Sequence, residues 1–226
     1  MRNYIIEKQQ HAPSRIHGIE VSVIDKPVNK IDFNKIKNDV ESKVPKHFFN
    51  GLNGIKIIDI KKIRNQDFNA TYDSKNKIMY LSNKQDNEKD VLDDIFHELA
   101  HHIQDTYKEH IFSDGKLRRE FMGKRMKLFD QLSAYGMHPP SRIKFSKHDF
   151  DDELDYYFYK KIGYKKLDNF TNGLFLTNYS CSSLYEYFAE GVEQYLFKPG
   201  LHHKMKSVSP TLFKKVAALF DKQDLQ

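Results

Sequence analysis

Tryptophan is absent from this 226-residue chain, and cysteine occurs once, at Cys181. A single thiol cannot close an internal disulfide, so the fold must be held by its core, as suits a reducing compartment. No apolar run approaches the roughly 18 residues that a membrane-spanning helix needs. The first ten residues, Met1 to Gln10, contain no apolar stretch of the kind a secretory leader carries. These absences imply a protein that is cytoplasmic or delivered without a signal peptide, and one with no membrane partner. Internal repeats and low-complexity segments are also missing. So is any long basic tract: the net charge is +6 and the pI about 9.1, yet lysines and acids interleave. Lys61-Lys62, Lys160-Lys161 and Lys165-Lys166 are only short pairs, which fits a solvated surface and no nucleic-acid partner.

What is present is globular. The hydrophobic fraction is 39% and the aromatic fraction 13%, all Phe and Tyr, enough for a real core in a chain of this length. The expectation is a monomer with one domain over 1–226, built as a mixed strand and helix lobe (1–85) and a mainly helical lobe (86–226).

Residues 17–24 alternate apolar and polar, as a half-buried strand does. Phe33, Ile36, Val40 and Val44 follow helical spacing over 32–44, and Pro45 stops the helix. A β-branched run covers Ile55 to Ile60. Residues 69–82 suggest a hairpin turning near Asp73-Ser74-Lys75-Asn76, with Ile78, Met79, Tyr80 and Leu81 as its second strand. Helices are expected over 88–107, 116–133 and 183–197, the last closed by Pro199-Gly200. A final helix starts at Ser209-Pro210, a cap followed by proline at the first helical position. A shorter acidic and aromatic segment covers 150–161, and 137–147, with Pro139-Pro140, suggests a loop. Strands first and helices later make the fold class α+β.

The chemistry concentrates at Ile95-Phe96-His97-Glu98-Leu99-Ala100-His101-His102, which contains His-Glu-x-x-His. On a helix, residues four apart share a face, so two imidazoles can ligate one tetrahedral zinc ion. Glu98 sits roughly 100° round the helix from His97, beside such a metal, where a carboxylate can take a proton from water. Leu92, Ile95, Phe96, Leu99 and Ile103 form the apolar stripe. Asp90, Asp94, His97, His101 and Asp105 lie opposite, and the acids could orient the imidazoles. The longer continuation with a third histidine is missing, because position 104 is Gln and 107 is Tyr. The third ligand must then come from elsewhere. Glu186 and Glu190, in Glu186-Tyr187-Phe188-Ala189-Glu190, are candidates on one helical face. Ser183-x-x-Glu186 is equally a capping box, in which Glu186 would serve the helix start instead.

These two segments and their order resemble the catalytic domain of anthrax lethal factor and the related clostridial Pro-Pro endopeptidases. Tyr179 stands seven residues before Glu186, at the spacing this family uses. The resemblance covers only these segments. It implies a zincin-like fold with one zinc ion per chain, held by His97, His101 and Glu186 in a gluzincin-type site. It further implies Glu98 as general base, Tyr179 as a hydroxyl that stabilises the transition state, and Glu190 as support behind the ligands. Family members act on peptides, and an edge strand before the motif helix binds them. By position that strand would be Ile78, Met79, Tyr80 and Leu81. The expected function is therefore a zinc-dependent metalloendopeptidase with a peptide or protein substrate. The alternative is a catalytically idle fold of the same kind, used to bind a protein. Intact Glu98 argues against that alternative. Other tempting residues have plainer readings: His102 directed away from the metal, His202-His203 as a surface pair, Cys181 as a small buried residue without a basic neighbour, and Tyr156-Tyr157-Phe158-Tyr159 as core.

Overall fold

The computed structural model describes residues 14–63 and 69–221. The fold is α+β, with a small mixed five-stranded sheet and a mostly helical second half. It forms two compact units that divide between His102 and Ile103. The division falls later than the 85/86 boundary expected from the sequence, and it lies inside a continuous helix, Glu88–Thr106.

In the first unit, β1 (Ser14–Ile16) and β2 (Ile19–Val23) form an antiparallel hairpin. The sequence suggested one strand over 17–24. Instead, His17 and Gly18 both take positive φ, 50° and 91°, and so make the two-residue turn whose twist matches paired strands. Helix α1 (Phe33–Lys43) is capped by Asp32, whose side chain accepts from the amides of Asn34 and Lys35, and it buries Ile36 and Val40. It crosses over to β3 (Gly54–Ile58), which runs parallel to β2. The second hairpin is β4 (Ala70–Asp73) and β5 (Ile78–Ser82). Its turn is held by the Asp73 carboxylate, which accepts from the amides of Lys75 and Asn76 at 3.0 Å each. The strand order is β1-β2-β3-β5-β4, with β5 parallel to β3. Ile55, Ile57, Met79 and Leu81 are buried, as are Val91, Ile95, Phe96 and Leu99 of the helix that follows, α2 (Glu88–Thr106).

The second unit is helical: α3 (Lys116–Ala134), α4 (Tyr164–Thr171), α5 (Leu184–Phe197) and α6 (Pro210–Phe220), with short helical pieces between. One of these, Arg142–Phe145, sits in the stretch expected to be loop; Ser141 caps it and Phe145 is buried. The acidic and aromatic segment is helical over Asp152–Tyr156 and continues as a π-helix over Tyr157–Ile162. Tyr157 and Phe158 are core, but Tyr156 and Tyr159 are about half exposed, so only part of that run packs inside. Among the described residues, no helix is long and apolar enough to cross a membrane.

Helix α5 lies close against α6 at Gly191. A methyl group there would meet Leu212 side-chain carbons at 2.7–2.8 Å. Gly191→Ala is therefore expected to destabilise the protein by about 1–3 kcal/mol through overpacking, even though alanine favours a helix. A urea-unfolding midpoint at or above the wild-type value would contradict this.

Candidate metal centre

Helix α2 builds the histidine pair. The Asn87 side-chain oxygen accepts from the amides of Lys89 and Asp90, at 2.9 and 3.2 Å, and caps its start. The buried stripe Leu92, Ile95, Phe96, Leu99 and Ile103 fixes its rotation. This leaves His97 and His101 half-buried one turn apart, with ring centroids 5.0 Å apart and planes at 79°. Between them Glu98 is buried, at 6% exposure. Two of the acids expected to orient the imidazoles have neighbours at the helix start: Asp94 accepts from the Gln85 amide and Asp90 from the Asn87 amide. Burial lifts the Asp94 carboxyl to about 7, opposed by the Gln85 hydrogen bond and reinforced by the Glu98 charge.

His102 is buried and both its ring nitrogens are engaged. Nε2 lies 3.0 Å from the Asn50 carbonyl and Nδ1 2.9 Å from the Tyr72 hydroxyl. A carbonyl only accepts, so in the neutral ring Nε2 donates to it and Nδ1 accepts from Tyr72. His102 thus ties β4 to α2 immediately after His101.

In the helical unit, Ser183 caps α5, its hydroxyl accepting from the Glu186 amide at 3.1 Å. Half of the anticipated capping box is therefore present in the backbone of Glu186. Glu190, one turn further on, is buried. Tyr179 opens a one-turn helix, Tyr179–Cys181, just before that cap. Burial, and then the carboxylate of Glu186, push its phenol well above the ordinary tyrosine range, so at neutral pH it is a hydrogen-bond donor. Burial and the Asp152 and Glu186 charges also raise the Asp155 carboxyl.

Donor atoms of His97, His101 and Glu186 lie within 4.8 Å of one another, and this His/Glu cluster could hold a metal ion. Those of His97, Glu190 and Glu193 meet the same spacing. The sequence reading left out Glu193, although it falls on the face already marked by Glu186 and Glu190.

The expected substrate strand needs correction. Ile78, Met79, Tyr80 and Leu81 lie in β5, which pairs with β3 on one side and β4 on the other. Met79 and Leu81 are core residues. The hairpin partner β4 takes the edge, so among the described strands β5 has no free side for a peptide. Cys181 is buried, as expected, and burial pushes its thiol up to about 12. It does have a basic neighbour, however, because Arg125 of α3 opposes that shift. His203 is exposed, while His202 stacks on Tyr195 at 4.3 Å and its Nε2 lies 2.9 Å from that residue's carbonyl oxygen.

Compared with protein families, curated proteins and solved structures, the chain matches none.

Proposed function

We propose that this protein is a zinc-dependent metalloendopeptidase. The observation that carries the reading is the His97, His101 and Glu186 donor group, with the buried carboxylate of Glu98 on the turn between the two histidines. Two imidazoles and one carboxylate are the ligand set of a catalytic zinc site, which leaves a coordination position for water or substrate. When bound, zinc lowers the pKa of its water and polarises the scissile carbonyl.

His97 and His101 would hold the metal from one helix face, and Glu186 would complete the set. Glu98 takes the proton of the attacking water and passes it to the leaving amine. The neutral Tyr179 hydroxyl donates a hydrogen bond to the tetrahedral oxygen as charge develops there. Glu190 and Glu193 steady the His97 side of the cluster. An extended substrate would add to the outer side of β4, not to β5, through backbone hydrogen bonds. The likeness of these residues to the lethal-factor-like peptidases supports the same reading.

Metal content by elemental analysis tests it. Wild type is expected to carry about one zinc per chain, and Glu186→Gln clearly less. If that variant keeps its zinc and only melts earlier, Glu186 is a capping residue. If wild type takes up no zinc after reconstitution, the proposal fails.

A further inference from the structure

Tyr179 stands on a single helical turn, Tyr179–Cys181, which follows the irregular stretch 172–178. One turn has no stability of its own, so the direction of the Tyr179 side chain must be set from outside. Two neighbours in the same unit do this, and both belong to α4. The first is the Tyr164 ring, which meets the Tyr179 ring edge to face, with centroids 6.3 Å apart and planes at 84°. The second works through Asn178, the residue before Tyr179. Its side-chain amide donates to the Asp168 carboxylate at 2.8 Å and to the Tyr164 carbonyl at 3.3 Å.

Tyr164 and Asp168 are one turn apart on α4 and so share a face. That face holds the Asn178 side chain and meets the Tyr179 ring. The turn is also pinned to the two residues before it. Ser180 and Thr177 share a hydroxyl hydrogen bond of 2.7 Å, and the Cys181 thiol donates to the Asn178 carbonyl at 3.1 Å. The Tyr164 ring is backed in turn by Tyr159, with centroids 5.3 Å apart. A phenol whose preceding residue is anchored by its side chain and whose ring is packed edge to face has little rotational freedom. Restricting that freedom is what a donor aimed at a transient oxyanion requires.

We propose that α4 is a positioning platform for Tyr179, with Tyr164 and Asn178 setting the direction of its hydroxyl during peptide hydrolysis. The inference rests on the metalloendopeptidase reading. Neither residue touches substrate or metal in this scheme; both act through Tyr179.

The test uses the full zinc-loaded chain and the best-cleaved peptide from a synthetic library. Tyr164→Ala is expected to lower kcat roughly tenfold, with KM and zinc content unchanged. Tyr164→Phe, which keeps the ring, is expected to restore most of the rate. In a Tyr179→Phe background, Tyr164→Ala should cost nothing more, since the hydroxyl it directs is gone. An equal loss in both backgrounds, or a Tyr164→Phe as slow as Tyr164→Ala, overturns the proposal. If Tyr164→Ala does not fold, Asn178→Ala replaces it with the same expectations.

A readout independent of turnover is the ring signal of Tyr179 in ¹³C-tyrosine-labelled protein, assigned by its loss in Tyr179→Phe. It should move toward the free-tyrosine position in Tyr164→Ala and in Asn178→Ala, and an unmoved signal also overturns the proposal. If wild type neither binds zinc nor cleaves peptides, the metalloendopeptidase reading fails. The ring signal then decides alone whether α4 fixes Tyr179.

Discussion

Glu98→Gln is expected to bind zinc at the wild-type level while hydrolysing peptides about 10²–10⁴-fold more slowly, the usual range for losing a general base. The change keeps the size and shape of a side chain that is only 6% exposed, so packing of α2 is preserved. It removes the one property the proposed mechanism needs, a basic oxygen beside the candidate metal site. Glu98 does not belong to the donor groups formed by His97 and His101 with Glu186, or by His97 with Glu190 and Glu193, so metal affinity should survive. The measurement pairs zinc content with cleavage of a pooled peptide library followed by mass spectrometry. Retained zinc with wild-type turnover would remove Glu98 from the mechanism. Lost zinc would mean that the carboxylate charge is part of the metal site.

The extent to which this centre was legible in the sequence follows from the range of each interaction. His97, Glu98 and His101 lie within two turns of one helix, and the periodicity that buries Leu92, Ile95, Phe96 and Leu99 also fixes where those residues point. Local rules suffice there, as they do for the Asp32 cap of α1 and the Ser183 cap of α5. What failed depended on partners distant in the chain. Ile78 to Leu81 look like an edge strand until β3 is known to pair on the far side, and strand order is not a local property. Arg125 could not be recognised as the neighbour of Cys181, because it arrives from another helix. The φ > 0 turn at His17-Gly18 is a local feature, and Gly18 was its available signal. Glu193 was legible too, by its spacing from Glu190. Tyr164 and Asp168 carried no signal, since their role exists only where α4 meets Asn178.

The start of α6 shows the same distance effect, and it leads to the largest stability change expected in the helical unit. Ser209-Pro210 suggested a serine cap. Pro210 does occupy the first turn, but the Ser209 hydroxyl accepts from Lys124 Nζ at 2.9 Å and makes no cap. The cap comes from Glu120 of α3, whose carboxylate accepts from the amides of Thr211 at 2.7 Å and Leu212 at 3.0 Å. The same carboxylate accepts from the Tyr187 hydroxyl of α5 at 2.8 Å. Lys124, one turn along α3 from Glu120, also donates to the carbonyls of Leu174 and Val208 at 2.6 Å each. Glu120→Ala would strand two helix-start amides and a tyrosine hydroxyl, and would leave a buried ammonium without its nearby carboxylate. A loss of about 3 kcal/mol is expected, discounted from the fully buried case because Glu120 is only partly buried. The deficit should depend on pH. Burial pushes Lys124 from its ordinary 10.5 down to about 8, against the pull of Glu120. Between those values the unfolded chain binds more protons than the folded one, so stability rises with pH through that window. Removing Glu120 lets the folded pKa fall further, which opens the window at lower pH. Urea unfolding at pH 7 and pH 9 should therefore show the variant's deficit shrinking at pH 9. A deficit that is equal at both, or grows, would mean that the lost cap and tyrosine hydrogen bonds account for the effect and that Lys124 plays no part in it.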